Sequence, residues 1–477
     1  MFVAREKELN DLNNELLKDE SSLIVVYGRR RIGKTETIRH FISTNSLLNL
    51  EVSGVYGSSK KIQMKSFVKR IKRFTDISIQ NEEPILSWND VFDLLEQSII
   101  SFKSKEKKVI FIDEFPWLDT QKSGFLEAFS EFWNLFCSKR KDMIVIVCGS
   151  AASYMINKII RNKKTMHARI NLKINMKQFK LKDAKKMLES KGCKWSNKGI
   201  IDTYIALGGV AKYLNESKCS MSPHANIEYL CFSDNALLRD EYEDLFESLF
   251  ERATVHRKLM DKLATKWSGY TKQELSKLLK VSQSSFTLPL DELVSSGFVS
   301  SVKKFGQISR EKIYRATDCF SYFHHKWIKN DIKNWQIIAT SQSFKTWEGI
   351  AFENTCHIHI DEIKQRLGIS EVETNVHYWS KKGKKADAII GAQIDMLIEH
   401  TNGSNNIEII ECKYYKGKFK ISDSYLKDLK QKIEVFNEHT NFKHNIRLIF
   451  ITAEGIEKDA NYYDIVNKEL IIEDLFF

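Results

Sequence analysis

Proline is scarce in this sequence of 477 residues, with 4 in all. Long Pro-rich linkers are thereby excluded, so neighbouring domains must join through short polar or helical pieces. The 8 cysteines include no Cys-x-x-Cys pair, which argues against a zinc site or a disulfide framework and for reduced thiols. No run approaches the ~18 apolar residues of a membrane span. Charge begins at Arg5, with no apolar leader stretch after Met1. These absences predict a cytoplasmic protein with no membrane partner. Neither an internal repeat nor a low-complexity tract is visible.

What is present is a moderate basic excess, 74 Lys and Arg against 62 Asp and Glu, for a net charge of +12. That balance suits a polyanionic partner such as nucleic acid. The length suits about three domains at ~150 residues each. Lysine runs at 103–108 and 381–385 read as solvated loops or as contacts to phosphate.

From residue 1 to about 180 the chain alternates strand-like runs ("SLIVVYG", "LNLEVSGV", "KVIFIDE", "MIVIVCG") with helical patterns ("SFVKRIKRF", "WNDVFDLLEQSII", "FLEAFSEFWNLF"). Short, nearly all-apolar strands between helices predict a parallel sheet covered on both faces. Residues 181–250 read as helices only. Residues 254–317 give helix, helix, turn, helix and two strands, and from about 340 onward an α/β pattern returns.

The stretch "VVYGRRRIGKTETI" fits G-x-x-x-x-G-K-[ST] with Gly28, Gly33, Lys34 and Thr35, behind an apolar strand and ahead of a helix. Glycines let several backbone N–H groups converge on one phosphate, and the helix N-terminus adds positive potential. Lys34 is placed to reach the β/γ-phosphates, and the Thr35 hydroxyl to ligate Mg²⁺. A second strand, "VIFIDEF", ends in Asp113 and Glu114. Two adjacent acids at the end of a buried strand are costly as mere packing. Asp113 is assigned to Mg²⁺, and Glu114 to general base or water positioning. A third strand, "MIVIVCGS", ends in Ser150, read as a γ-phosphate sensor or as the N-cap of the next helix.

With "FVAREKEL", "GRRRIGKT" and "IDEFPWL", these residues resemble the archaeal-type P-loop ATPase family of the AAA-like/STAND group. In "ARINLKINMKQF", Arg169 and Phe179 match the segment after the sensor strand. The resemblance implies that Arg169 is an arginine finger, offered to a neighbouring copy of the chain or closing in cis, the alternative being a surface residue. The family's Gly-Gly-x-Pro turn is present as "GGVAKYL", with Ala211 where proline is usual. The resemblance further implies ATP and Mg²⁺ as cofactors, a homo-oligomer as one state, a winged helix, and a C-terminal domain similar to PD-(D/E)xK nucleases. The expected fold class is α/β: a P-loop NTPase domain over 1–180, a helical lid over 181–250, a winged helix-turn-helix over 251–335, and a restriction-endonuclease-like domain over 336–477.

In "TKQELSKLLKVSQSSFTLPLDELVSSGFV", Gln283, Ser284, Ser285 and Thr287 are placed to face a groove, with Lys303 and Lys304 on the wing. The helix lacks Arg and Lys, and Pro289 is expected to shorten or kink it, so DNA contact and a structural role both stay open. In "NIEIIECKYY", Glu411 and Lys413 share one strand face. Asp395 lies in the apolar strand "AQIDMLIE", and Glu353 lies in the helix "GIAFENTC". Carboxylates holding Mg²⁺ beside a lysine suit phosphodiester hydrolysis, and the family's acidic positions fall on Glu353, Asp395, Glu411 and Lys413. The reading is an ATPase coupled to a metal-dependent DNA nuclease, with a role against foreign DNA suggested by the pairing. The alternatives are a signalling or scaffold switch with an inactive, docking nuclease-like domain, and a DNA-binding regulator.

Overall fold

The computed structural model describes residues 2–75, 85–102, 106–161, 169–306, 312–330, 334–381 and 392–477, apart from the side chains of Thr75 and Asp395. The chain divides into two compact units. One is Met1–Gln178 with Glu247–Glu251, and the other is Phe179–Phe246 with Arg252–Phe477.

The first unit is built on strands β1 (Ser22–Tyr27), β2 (Leu48–Ser53), β3 (Lys108–Asp113), β4 (Met143–Gly149) and β5 (Leu172–Asn175). They form one sheet in the order β2-β3-β4-β1-β5, and every neighbouring pair is parallel. Alternate residues of β1, β3 and β4 feed separate cores. Leu23, Val25, Ile110, Ile112, Val145 and Val147 face α3 (Lys60–Thr75), α4 (Trp88–Ser101) and α5 (Phe125–Glu131). Ile24, Val26, Val109, Phe111, Ile144 and Ile146 face α1 (Glu6–Leu16) and α2 (Lys34–Thr44). Burial on both faces explains why these strands read as continuous apolar runs. At the start of α4 the Ser87 Oγ accepts from the Asp90 N–H (3.3 Å) and the Asp90 carboxylate accepts from the Ser87 N–H (2.9 Å), two bonds that set the helix boundary.

Three sequence expectations change here. β5 is a fifth strand that the apolar pattern did not announce, because Lys173 and Asn175 point outward at the sheet edge. Lys108, the last of the first lysine run and the first residue of the strand "KVIFIDE", opens β3 but is buried rather than solvated, and pairs with Asp142 at 2.9 Å. Lys107 is likewise tied down, donating to the carbonyls of Glu15 (3.1 Å) and Glu20 (2.9 Å). The rest of the first lysine run, 103–105, and residues 382–385 of the second lie outside the described residues.

The second unit starts with helices Leu181–Ser190, Asn197–Leu207, Ala211–Asn215 and Pro223–Cys231. Its Gly209 approaches the backbone so closely that a Cβ there would lie 1.9 Å from the Phe179 carbonyl oxygen. Against the expectation of reduced thiols, Cys193 and Cys219 form a disulfide, while Cys137, Cys148, Cys231, Cys319, Cys356 and Cys412 are free. The pair lies 26 residues apart in sequence and is brought together only by helix packing.

Helices Ala253–Leu263, Lys272–Leu279 and Gln283–Ser295 follow, with a small antiparallel sheet of β6 (Tyr270–Thr271), β7 (Val299–Lys303) and β8 (Lys312–Ala316) in the order β6-β8-β7. Pro289 is buried within the third helix, which nevertheless runs its full length. Lys303 is exposed, whereas Lys304 bridges Tyr378.

A mixed five-stranded sheet closes the unit: β9 (Thr374–Lys381), β10 (Ala392–His400), β11 (Asn406–Lys413), β12 (Asn445–Thr452) and β13 (Lys468–Ile471), ordered β13-β12-β11-β10-β9. β9, β10 and β11 pair antiparallel, and β11, β12 and β13 pair parallel. The helix Asp423–His439 buries Leu429 and Phe436 against this sheet.

Candidate nucleotide and acidic sites

The carboxyl ends of β1, β4 and β3 meet at one rim of the parallel sheet. β1 runs into a loop whose backbone turns through left-handed conformations at Gly28 (φ 146°), Arg31 (φ 68°) and Gly33 (φ 95°). A Cβ on Gly28 would sit 2.2 Å from the Met176 carbonyl oxygen, so only glycine fits. Lys34, the first residue of α2, is buried beneath the loop and donates to the carbonyls of Gly28 (2.9 Å) and Arg29 (2.8 Å) and to Ser150 Oγ (3.0 Å). Burial lowers its pKa, against the opposing pull of Cys148, Glu114 and Asp113.

Thr35 Oγ1 donates to Asp113 Oδ2 at 2.8 Å, placing a hydroxyl and a carboxylate side by side. The other Asp113 oxygen accepts from the Glu114 N–H at 2.9 Å. Glu114 occupies a left-handed conformation (φ 43°), which an ordinary residue holds only under strain of about 1–3 kcal/mol. That bend aims its carboxylate at Ser150, whose Oγ donates to it at 2.9 Å. Burial raises the Glu114 carboxyl above the usual carboxylate range, with Lys34 partly opposing. The structure thus brings together Gly28, Gly33, Lys34, Thr35, Asp113, Glu114 and Ser150, which are scattered over more than a hundred residues of sequence.

Arg169 is exposed and its Nη1 donates to Ser130 Oγ on α5 (3.3 Å). One loop contact was not foreseen. Arg5 is buried, donates from Nη2 to the Ile32 carbonyl inside the loop between Gly28 and Gly33 (2.7 Å), and pairs with Glu8 at 3.2 Å. Its only sequence signal is the "VAREKEL" segment, which says nothing of a contact 27 residues away.

The second constellation lies on the mixed sheet. β10 and β11 pair with Met396 opposite Ile410. That pair ends the shared register, one residue short of positions 395 and 411 and beside an irregularity of β10 between Ile394 and Leu397. The Asp395 side chain lies outside the described residues. Glu411 accepts from the Tyr425 hydroxyl (3.0 Å), pairs with Lys432, and lies 3.7 Å from Lys413 Nζ. Tyr425 and Lys432 both belong to the helix Asp423–His439 and were not picked out from sequence. Glu353 accepts from the Trp267 indole N–H at 2.9 Å. Glu353 and Glu411 both bear on Tyr425, whose phenol burial pushes upward first and the two carboxylates push further. Among the described residues, no group of three His, Cys, Asp or Glu side chains is gathered tightly enough to hold a metal. No helix among them is long and apolar enough to cross a membrane.

Residues 2–216 match the family described as "ATPase domain predominantly from Archaea". The chain is similar to an uncharacterised protein of Methanocaldococcus jannaschii, with 22 % identity over 477 residues that cover 98 % of this chain and 96 % of that one. An ATP-binding protein of the same organism is 25 % identical over 311 residues, 58 % of this chain and 89 % of the relative. Among solved structures, a Walker-type ATPase of Pyrococcus abyssi superposes with a TM-score of 0.49 and 16 % identity, covering 68 % of this chain and 96 % of that one.

Proposed function

We propose that this protein, whose residues 2–216 match the ATPase domain family found predominantly in Archaea, binds and hydrolyses Mg·ATP in its first unit and couples nucleotide state to a DNA-directed nuclease domain in its second. The observation that carries the ATPase reading is the meeting of Lys34, Thr35, Asp113, Glu114 and Ser150 at one sheet rim. Lys34 exchanges its loop carbonyls for phosphate oxygens. Thr35 and Asp113 would hold Mg²⁺, which supplies charge neutralisation at the phosphates. The raised carboxyl of Glu114 suits a base or positioner for the attacking water, and Ser150, bonded to both Lys34 and Glu114, links phosphate state to that acid. Phosphate release from ATP, measured for wild type and Lys34→Ala, tests this. Equal rates in the two proteins would refute it.

The nuclease reading is supported by Glu411 and Lys413 on one strand face, by Glu353 acting on the same Tyr425, and by the pairing of β10 with β11, the strands that carry positions 395 and 411. These residues, with Asp395, would hold the divalent cation and steady the phosphodiester. The order helix, β6, helix, helix, β7, β8 over 253–316 supports a winged helix. Exposed Arg169 supports a finger offered to a second copy of the chain, and the pairing of modules motivates a role against foreign DNA. One observation favours a second reading, a switch whose nuclease-like domain docks a partner: Glu411 is already paired with Lys432. Plasmid cleavage with Mn²⁺, with and without ATP, separates the two. Cleavage lost in Glu411→Gln supports the nuclease, and intact plasmid under every condition supports docking.

A further inference from the structure

The third helix of the parallel unit, α3, carries seven basic residues (Lys60, Lys61, Lys65, Lys69, Arg70, Lys72 and Arg73) and no acidic one. Their placement follows the helical period. Gln63, Met64, Phe67 and Ile71 are buried. Lys61, Lys65, Lys69 and Arg73 recur every four residues on the opposite side, and all four are exposed. At 1.5 Å and about 100° per residue this stripe rises about 18 Å while winding about a third of a turn around the helix. Like charges at i,i+4 spacing weaken an isolated helix, so the stripe costs stability unless a partner neutralises it.

We infer that the exposed face of α3 is a docking surface for the phosphate backbone of duplex DNA. The inference rests on the reading of DNA as the partner and adds where the first unit holds it. Three observations select this occupant. A duplex presents one negative charge per about 1.7 Å of axis, which matches an uninterrupted line of cations and needs no particular base sequence. The face carries no exposed aromatic ring, since Phe67 is buried and Phe74 half-buried, whereas single strands are held by stacking on such rings. The helix Gln283–Ser295, where DNA reading would be looked for, has no Lys or Arg and contains Asp291 and Glu292. The electrostatic part of DNA affinity must then come from elsewhere, and α3 supplies it.

The test is fluorescence anisotropy of a labelled duplex over a range of salt. The proteins are wild type, the quadruple variant Lys61→Ala/Lys65→Ala/Lys69→Ala/Arg73→Ala, and the smaller reversal Lys65→Glu/Lys69→Glu. A slope of about −0.9 in log K against log salt per neutralised phosphate predicts that the quadruple variant flattens the slope by about 3–4 and weakens low-salt binding at least ~tenfold. The melting midpoint of the quadruple variant is expected to hold or rise slightly, since like-charge repulsion is relieved, basal ATP hydrolysis is expected unchanged, and the reversal pair gives the same answer should the quadruple variant fold poorly. Binding is read without divalent cation, where the acidic site assigned to cleavage takes no part, so the two ideas fail separately. Equal slopes in wild type and both variants, wild type that binds no duplex, or a loss confined to a single strand or to anionic vesicles would each overturn the inference.

Discussion

Arg5 offers a perturbation remote from the phosphates with a readout at them. Replacement by alanine removes the 2.7 Å bond to the Ile32 carbonyl and the 3.2 Å pair with Glu8, both largely shielded from water. A hydrogen bond from a charged donor contributes about 1.5–3 kcal/mol, and a carbonyl left buried without its donor adds to the loss. We therefore expect about 2–3 kcal/mol of destabilisation, a fall of roughly 4–12 °C in Tm for a unit of this size. Because the anchored carbonyl is part of the phosphate loop, some of that energy appears as nucleotide affinity. If half or more does, the Kd for an ATP analogue rises at least ~fivefold. Arg5→Lys, which keeps charge but loses the planar fork, should fall between. Differential scanning fluorimetry with and without the analogue reads both quantities. A lower Tm with unchanged analogue affinity would refute the loop-anchoring role and leave Arg5 a simple packing residue.

Glu114→Gln keeps the shape of the carboxylate and its contact with Ser150 but removes the group proposed as base. It is expected to bind ATP as wild type does and to hydrolyse it ~10²-fold or more slowly, read by single-turnover phosphate release. Since the Glu114 carboxyl titrates above its ordinary value, wild-type hydrolysis should decline on the acid side while exposed carboxylates are still ionised, and a rate flat down to pH 4.5 would count against the assignment. Glu348, largely buried near Asp202, is pushed up to about 7 chiefly by burial. The folded state therefore holds a proton that the unfolded chain releases near 4.5, so stability is greatest below that value and is lost as pH rises toward about 7. Glu348→Gln is expected to raise Tm at pH 8 relative to wild type and to flatten the profile from pH 5 to pH 8.

Most of the first unit was legible because its physics is local. β1, β3 and β4 are buried on both faces, so their apolar runs stand out, and the phosphate loop and the Asp113–Glu114 pair sit at strand ends where polar residues demand a reason. β5 was hidden by its edge position, which exposes Lys173 and Asn175. Buried Lys108 was misread because its partner Asp142 lies 34 residues away. Arg5, Tyr425 and Lys432 act through contacts spanning 27, 14 and 21 residues, distances over which periodicity carries no information. Glu411 and Lys413 were legible as a pair on one face, but the company Glu411 keeps depends on how a later helix packs.

The bond between Cys193 and Cys219 encloses the helices Asn197–Leu207 and Ala211–Asn215 in a covalent ring. Closing a ring of that size restricts the unfolded chain and favours the native state by about 3.5 kcal/mol. Reducing agent in the buffer thus becomes a variable of its own: a sample kept in dithiothreitol and one kept in air differ in the resilience of the second unit before any nucleotide or DNA is added. Comparisons of variants carry meaning only when the thiol state is held constant across them.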